Sequence, residues 1–513
     1  MTNPAALPAQ SLFEAIPNLS FDWLRGRRWF SSKGRAIESL TVADWGTLPL
    51  EQPAVLALAL VRYTAGRDEQ YFLPLVAGSE AQPGGVDVPP ALTVDHHGIT
   101  WYVHDAFQFP DFRRLLMELL ISSGEVLMQH GRVVFQPEAT LRESPPPLED
   151  IKLVTAEQSN SSIIYDRQAI MKCFRRVVAG VNPDVEVSHF LTTRAGFRHT
   201  PAMLGDIAYI SENGVEHSIG LLQAFVPNEG DAWEHTLAAL RRFLSDAQAR
   251  NPVPDHVRIH ETRQLTATQL DEVKQLGMLT GQMHTALASD PDDPDFAPRP
   301  LLPEQVTAWQ TAILTESDAI LGELERQMDS LPPAQQASVA ALLDARPRIE
   351  RRTAGLAALG EAGLVTTRYH GDYHLGQLLV TAQGFLILDF EGEPLRSLAE
   401  RRAHGSPIKD VAGMLRSLSY AANTALASAE RRATGAAHLA PWIEAWEQCA
   451  RTAFLDGYIS TTQGTAFVPN DPTLFHTAVA VFELEKALYE LHYELNNRPD
   501  WLPIPLHGIQ RVI

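Results

Sequence analysis

The 513-residue sequence predicts an α+β, two-lobed fold in which a β-rich segment comes first and a mainly α-helical segment follows. Two patterns support this prediction. Up to about residue 226, short alternating or β-branched runs such as VLALALVRYT are separated by Gly and Pro. From about residue 232 onward, apolar residues recur every three or four positions, as in WEHTLAALRRFLSDAQ, which is typical of amphipathic helices. The length fits two or more compact lobes.

Composition narrows the classes of function. With 45% hydrophobic and 20% charged residues the chain is typical of globular proteins. A net charge of −20, without a Lys/Arg block, argues against nucleic acid or anionic lipid as a partner. Two cysteines, Cys173 and Cys449, provide no disulfide framework and no paired-thiol metal motif. The text shows neither a signal-peptide pattern nor a membrane span, so we expect a cytoplasmic protein that binds a small molecule.

Three segments are expected along the chain: an N-terminal β-rich cap subdomain at 1–135, a small lobe at 136–226 and an α-helical C-lobe at 227–513. Within the second segment the predicted order is a strand, a polar loop, two strands, a helix that starts after Asn182, and two further strands. That order is typical of the small lobe of a kinase. The sequence therefore predicts a bilobal, eukaryotic-like kinase fold preceded by a cap.

The chemistry is concentrated in RYHGDYHLGQLLVTAQGFLILDFEGEP, at 368–394. Asp372 follows His370 and Gly371, Gln377 lies five residues later, and Asp389 ends the apolar run FLILD. In protein kinases this spacing places a catalytic-loop aspartate that accepts the substrate hydroxyl, and an amide and an aspartate that hold Mg²⁺. A surface hairpin that happens to carry acids is the alternative, and three matched spacings favour the kinase interpretation.

These residue types suit phosphoryl transfer. Asp372 is the candidate catalytic base, because an acceptor hydroxyl must be oriented in line with the γ-phosphate. Gln377 and Asp389 supply the oxygen ligands that Mg²⁺ prefers. Glu391 lies two residues beyond Asp389, so on an extended backbone both carboxylates would point to the same side and Glu391 could reach a second metal or a sugar hydroxyl.

The small lobe should grip ATP. Lys172, in AIMKCF, is expected to bind the α- and β-phosphates, and Glu186, near the start of the helix after Asn182, is its expected partner. A solvated strand-edge lysine is the structural alternative for Lys172. The other nucleotide candidates are polar residues of the loop at 157–162 and backbone groups at the lobe crossover, where a plain buried strand would explain the same letters: Ser159, Asn160, Ser161, Gln223 and Phe225.

Sugar sites combine carboxylates, basic groups and aromatic faces. The candidates flank the base or lie at helical spacing on two later helices: Tyr373, His374, Asp410, Arg416, Tyr420, Lys486, Glu490 and Glu494. For the helical residues the structural alternative is that they pair with one another or form a solvated face beside a packed one.

Several stretches resemble bacterial maltokinase: YHGDYHLGQ, ILDFEGEP, SPIKDVAGMLRSLSYAA and YELHYELNNRPDWLPIPLHGI, together with RGRRWFSSKGR and MKCFRRVVAGVNPDVE. The resemblance covers most of the chain. It implies an aminoglycoside-phosphotransferase-like kinase fold and phosphorylation of maltose to maltose 1-phosphate with ATP and Mg²⁺, for α-glucan or glycogen synthesis from trehalose. By motif position it implies the same roles for Asp372, Gln377, Asp389, Lys172 and Glu186.

Two alternatives stay open. Glucosamine kinases carry related HGD and DFE motifs. The acidic cluster of Glu391, Glu393 and Glu490 also suits an amine-bearing sugar. The other alternative is a non-catalytic, kinase-like binding module, against which the intact candidate residues argue. A basic patch around Arg25, near the start of the chain, could dock an acidic partner enzyme such as a trehalose-to-maltose isomerase.

Overall fold

The computed structural model describes residues 7–80, 89–154, 160–250, 254–394, 396–432 and 436–513. The chain divides into two compact units, one of Met1–Thr193 with Pro201–Pro227 and the other of Arg194–Thr200 with Asn228–Ile513. The first is β-rich and the second mainly helical, which confirms the predicted fold class. The second unit resumes one residue after the expected start of the C-lobe.

The first unit contains two antiparallel sheets. Its strands are β1 (Ile37–Thr47), β2 (Ala54–Tyr63), β3 (Glu69–Gly78), β4 (Leu92–His96), β5 (Ile99–Asp105), β6 (Glu125–Leu127), β7 (Arg132–Pro137), β8 (Ile151–Val154), β9 (Asn160–Tyr165), β10 (Ala169–Phe174), β11 (Arg176–Val177), β12 (Met203–Ile210) and β13 (Glu216–Ala224). Its helices are α1 (Ala9–Ala15), α2 (Phe21–Arg25), α3 (Pro110–Ile121), α4 (Ala139–Glu143) and α5 (Pro183–His189). The strand order is β1-β2-β3-β5-β4, with β11 paired to β3, in the cap sheet and β6-β7-β12-β13-β10-β9-β8 in the lobe sheet.

The cap sheet is covered on both faces, which explains why β2 is a nearly continuous apolar run. One face packs against the N-terminal segment, where Trp23, Trp29 and Phe30 are buried. The other face shares one apolar core with the lobe sheet, in which Phe72 and Met171 both take part. The two sheets of this unit are therefore stabilised by a common core.

The expected boundary between cap and small lobe, at 135/136, falls inside β7. β6 and β7 belong to the lobe sheet, because β7 pairs with β12 over Val133↔Tyr209 and its neighbours. The lobe sheet thus begins at Glu125, about ten residues before the expected boundary. Alternation and turn signals identify strands, but they do not identify which distant strand is the partner.

A buried arginine connects the two sheets of the first unit. Arg175 lies between β10 and β11 and is 1% exposed. Its Nη2 donates to Asp105 Oδ2 at 2.6 Å and its Nε donates to Ser161 Oγ at 2.8 Å. The guanidinium lies 4.1 Å from the ring centre of Phe107 and 4.8 Å from that of Trp29. Both partners of the buried charge pair are thereby satisfied.

The second unit is built on helices. In chain order they are α6 (Ala232–Gln248), α7 (Asp255–Leu265), α8 (Ala267–Leu287), α9 (Pro303–Gln327), α10 (Pro333–Leu343), α11 (Arg346–Ala354), α12 (Leu398–Arg401), α13 (Ile408–Arg432), α14 (Ala440–Thr462), α15 (Pro472–Asn497) and α16 (Pro503–Val512). The short strands are β14 (Arg299–Pro300), β15 (Val365–Thr366), β16 (Leu378–Thr381) and β17 (Gly384–Ile387), and β16 and β17 form a hairpin. None of the helices in the described ranges has the length and hydropathy needed to cross a bilayer.

The Arg175 network provides a test of stability. We expect Arg175→Met to lower the free energy of unfolding by about 3–5 kcal/mol, because it leaves the Asp105 carboxylate buried without its cation. The neighbouring Arg176 is the matched control, since its side chain is 50% exposed and Arg176→Met should cost less than about 1 kcal/mol. Urea unfolding followed by tryptophan fluorescence measures both. Equal losses for the two variants would contradict the role given to Arg175.

Candidate active site

The catalytic loop at 368–377 is held by one buried carboxylate. Asp410, in the first turn of α13 and 2% exposed, accepts hydrogen bonds from the backbone N–H of His370 at 2.7 Å and of Gly371 at 2.9 Å. His284 Nε2, on α8, lies 3.0 Å from the same carboxylate. Gly371 has a φ of 86°, a conformation that favours glycine. The sharp turn before Asp372 is thus fixed from outside the loop.

Asp372 keeps an accessible carboxylate, with 23% of the side chain exposed. Lys486 Nζ, on α15, lies 3.4 Å from its Oδ1 and 2.7 Å from Glu393 Oε1. Burial lowers the pKa of Lys486, but Glu393 and Asp372 more than offset this, so its pKa is raised and the ammonium is retained. His374, with 41% of its side chain exposed, has Nε2 3.9 Å from Asp372 Oδ2. The predicted base therefore lies beside a permanent cation.

The candidate metal ligands lie together after the hairpin. Gln377 Nε2 is 3.2 Å from Asp389 Oδ2. Carboxylate oxygens of Asp389 and Glu391 lie within 4.8 Å of each other. Oxygens at this separation, joined by the amide oxygen of Gln377 after rotation of the amide, suit one Mg²⁺ ion.

The carboxylates of Asp389 and Glu391 come together in a different way from the one predicted from the sequence. The apolar strand ends at Ile387, and Asp389 has a φ of 64°, so the segment is not extended there. The expectation that Asp389 and Glu391 share a side through strand alternation is therefore wrong, although the two carboxylates are close. A non-glycine residue in the left-handed region is costly and is concentrated at functional sites.

A cavity of about 310 Å³ opens beside Asp372. Its charged lining consists of six carboxylates and four cations: Glu316, Asp372, Glu393, Glu400, Asp410 and Glu485, with Arg396, Arg401, Lys409 and Lys486. Aromatic side chains complete the wall: Trp309, Tyr369, Tyr373, Phe482 and Tyr489. Mixed polar groups and aromatic faces are typical of a site for a small polar ligand.

Most of this lining was not predicted. Trp309 and Glu316 lie on α9, more than fifty residues before the catalytic loop, and nothing in their local sequence marks them. Lys409 stands next to a predicted residue, and its Nζ contacts Glu485 at 2.8 Å. Burial lowers the pKa of Lys409, but the negative charge of Glu485 outweighs burial, so the pKa of Lys409 lies above its usual value.

Four of the residues expected to contact sugar pair with one another instead. Arg416, with 5% of its side chain exposed, donates to Glu490 Oε2 through Nε at 2.9 Å and Nη2 at 2.7 Å. The Tyr420 hydroxyl is 3.4 Å from Glu494 Oε1, and Arg498 also donates to Glu494, at 2.7 Å. None of them lines the cavity beside Asp372. They hold α13 against α15, because a buried charge needs its partner close by.

The other expected sugar residues divide into two groups. Lys486 reaches the cavity, and His374 lies beside the base. Tyr373 is 2% exposed and its hydroxyl lies 3.1 Å from Thr280 Oγ1, while both oxygens of Asp410 accept bonds from the loop or from His284. The side chains of Tyr373 and Asp410 therefore support the loop, although both border the cavity.

In the first unit, Lys172 Nζ, on β10, contacts Asp184 Oδ2 at 2.9 Å. Asp184 is 2% exposed and lies in the first turn of α5, as does the expected partner Glu186. Asn182 caps this helix by accepting from the Asp184 N–H at 2.9 Å, as predicted. The sequence did not single out Asp184, because its contact with Lys172 depends on how the helix packs against the strand.

The remaining nucleotide candidates are less suited to their expected roles. Asn160 and Ser161 belong to β9 rather than to a loop, and Ser161 Oγ accepts from Arg175. Ser159 lies outside the described residues. At the crossover, the Phe225 N–H donates to Gln168 O at 2.9 Å, and Gln223 Nε2 donates to Ser188 Oγ at 3.2 Å.

Two family models match separate parts of the chain. Residues 23–108 match the model of the maltokinase N-terminal cap domain, and 251–450 that of the phosphotransferase enzyme family. A glucosamine kinase from Streptacidiphilus jiangxiensis is 26% identical over 355 residues, 69% of this chain and 71% of that protein. One from Mycolicibacterium smegmatis is also 26% identical, over 69% of this chain and 77% of the relative.

Solved structures share the fold. A glucosamine kinase in complex with glucosamine, ADP and inorganic phosphate has a TM-score of 0.63 at 20% identity, covering 96% of this chain and 98% of that one. A second glucosamine kinase structure, crystal form B, has a TM-score of 0.65 at 20% identity and covers 98% of this chain and 99% of its own.

The fold and the two family-model matches identify a phosphotransferase of the aminoglycoside-phosphotransferase-like kinase superfamily. Residues 23–108 match a maltokinase-type cap, and within that superfamily the chain resembles the sugar kinases.

The anchoring of the loop by Asp410 can be tested. We expect Asp410→Asn to lower the free energy of unfolding by about 2–4 kcal/mol, because the amide cannot accept from two N–H groups and His284 together. Asp456→Asn, at an exposed position of α14, is the control and should change it by less than about 0.5 kcal/mol. Chemical denaturation measures both variants. A wild-type value for Asp410→Asn would show that the loop is held by other contacts.

Proposed function

We propose that this protein is an ATP-dependent sugar kinase that phosphorylates maltose at the anomeric hydroxyl to give maltose 1-phosphate. The observation that carries the proposal is the Asp372 carboxylate at the edge of a cavity lined by paired charges and aromatic rings. The match to the maltokinase cap supports maltose as the acceptor. A cytoplasmic role in α-glucan synthesis from trehalose, beside a trehalose-to-maltose isomerase, follows from the same proposal.

Asp372 acts on the acceptor. The anomeric hydroxyl donates a hydrogen bond to the carboxylate, which orients its oxygen toward the γ-phosphorus of ATP. The new O–P bond forms as the bond from the γ-phosphorus to the β,γ-bridging oxygen breaks, ADP leaves, and the hydroxyl proton passes to Asp372 late in the reaction. Lys486, whose Nζ lies 3.4 Å from Asp372 Oδ1, places a positive charge beside this carboxylate.

Each unit supplies its own candidate residues for nucleotide binding. Lys172, oriented by Asp184, binds the phosphates. The oxygens of Gln377, Asp389 and Glu391 suit Mg²⁺, which when bound supplies positive charge to the phosphate oxygens. Glu391 is further positioned by Arg401, whose Nη1 donates to the Glu391 backbone oxygen at 2.8 Å.

Glucosamine is the second candidate acceptor. The named relatives are glucosamine kinases, and the cavity has six carboxylates against four cations, a surplus that suits an ammonium group. Both acceptors use the same base and metal ligands. They differ only in what the cavity wall must recognise.

The experiment is phosphate transfer from ATP and Mg²⁺ to maltose, glucosamine, glucose and trehalose, with the product read by ³¹P and ¹³C NMR. We expect phosphate on the anomeric oxygen of maltose, with the highest kcat/KM of the four sugars. Transfer to glucosamine alone would show that glucosamine and not maltose is the acceptor. The roles proposed for the base and the metal ligands would be unchanged. No transfer to any of the four would favour a non-catalytic binding module.

The role of Asp372 is tested by Asp372→Asn. We expect kcat to fall by about 10³-fold or more, since the amide cannot take the proton, while ATP binding changes less than about threefold. Asp456→Asn is the control for the loss of a carboxylate elsewhere in the second unit. Steady-state rates and calorimetric titration with ATP give the two quantities. Retention of full activity would remove Asp372 from the role of base.

A further inference from the structure

One stripe of α9 forms a wall of the cavity. Trp309, Ala312 and Glu316 all line it, and they are spaced three and four residues apart, which places them on one helix face. Seven residues of helix cover about 10 Å. The stripe therefore presents an aromatic ring, a small side chain and a carboxylate in succession.

The ring at one end of the stripe is held in place. Trp309 packs edge-on against Phe482 with ring centres 5.9 Å apart. Lys409 Nζ lies 5.7 Å from the Trp309 ring centre and 5.2 Å from that of Phe482. These contacts hold the indole in place, and the Trp309 side chain still borders the cavity. A fixed aromatic ring beside a cavity can stack on the apolar face of a sugar ring.

The carboxylate at the other end differs from its neighbours. Glu393 is paired with Lys486, Glu485 with Lys409, and Glu400 accepts from the Ser397 hydroxyl at 2.7 Å. In the described part of the chain, Glu316 has no hydrogen bond or ion pair at contact distance. A half-buried carboxylate without donors is unfavourable unless a ligand supplies them.

Electrostatics around Glu316 point the same way. Burial is the largest effect and raises the pKa of the Glu316 carboxyl. The negative charges of Glu485 and Glu393 raise this pKa further, and the positive charge of Arg396 lowers it. Arg396 is already committed, since its Nε lies 3.2 Å from Glu393 Oε2. The nearby cations therefore do not saturate the acceptor capacity of this carboxylate.

We propose that the Trp309–Ala312–Glu316 stripe reads the sugar ring of the acceptor that is not phosphorylated, with the indole against its face and Glu316 accepting hydrogen bonds from its hydroxyl groups. This deepens, and rests on, the proposed sugar-kinase function. Ala312 leaves the space that the ring occupies. Because α9 contributes no atom to the contacts around Asp372, the stripe contributes to binding of the acceptor and not to activation of its hydroxyl.

The test compares Glu316→Gln with Glu325→Gln. Glu325 is an exposed residue of α9, nine positions further on and so on the opposite side of the helix, and it is the matched control for a lost charge. For Glu316→Gln we expect KM for maltose to rise about tenfold or more with kcat within about threefold, and KM for glucose to change by less than about threefold. Glu325→Gln should behave as the wild type.

A second variant, Ala312→Leu, keeps the charge and fills the gap. It should raise KM for maltose more than KM for glucose. Calorimetric titration of maltose and glucosamine into the wild type and Glu316→Gln measures acceptor binding without turnover.

Failure of the wall and failure of the proposed function are distinguishable. If the wild type phosphorylates maltose and neither Glu316→Gln nor Ala312→Leu changes its KM, the wall is overturned and the function stands. If Glu316→Gln weakens the binding of glucosamine and not that of maltose, the carboxylate recognises an ammonium group. The assignment of the stripe to the sugar ring that is not phosphorylated is then wrong. If no sugar binds to the wild type, both proposals fall.

Discussion

The geometry of the active site depends on the buried carboxylate of Asp410. It accepts from two consecutive loop amides and faces His284, so the turn that presents Asp372 is set by a helix that follows it in the sequence. The same helix approaches closely enough that a side chain in place of Gly413 would put its Cβ 2.8 Å from the Tyr373 carbonyl oxygen. The loop therefore has little freedom, and the fold itself fixes the backbone that carries the Asp372 carboxylate.

Charge pairing separates structural from functional groups in the helical unit. Arg416 with Glu490 joins α13 to α15, and Arg498 with Glu494 is an i,i+4 pair at the end of α15, so a cation already neutralises each of these carboxylates. In the cavity, Lys486 links the base to Glu393, while Glu316 lacks a partner in the described residues. Residue type is the same in the two settings. What a carboxylate does is determined by whether a cation already neutralises it.

In the β-rich unit, too, a buried charge is neutralised by a partner close by. Arg175 fills the space between two sheets and satisfies Asp105, so a buried ion pair joins the cap to the lobe sheet. On the same lobe sheet, Lys172 forms an ion pair with the buried Asp184. Ser161 was expected at the phosphates because it belongs to the polar stretch 157–162, but its Oγ accepts a hydrogen bond from Arg175.

The sequence by itself determined the two-part fold, the catalytic loop and its likeness to a kinase. These are local properties: hydrophobic period, a cap such as Asn182, and the spacing of Asp372, Gln377 and Asp389 within one hairpin. Tertiary structure alone decided that Asp184 contacts Lys172, that Asp389 turns into the left-handed region, that Arg416 pairs with Glu490, and that α9 supplies a wall of the cavity. Those outcomes depend on helix rotation and on contacts between residues far apart in the chain, which no local pattern encodes.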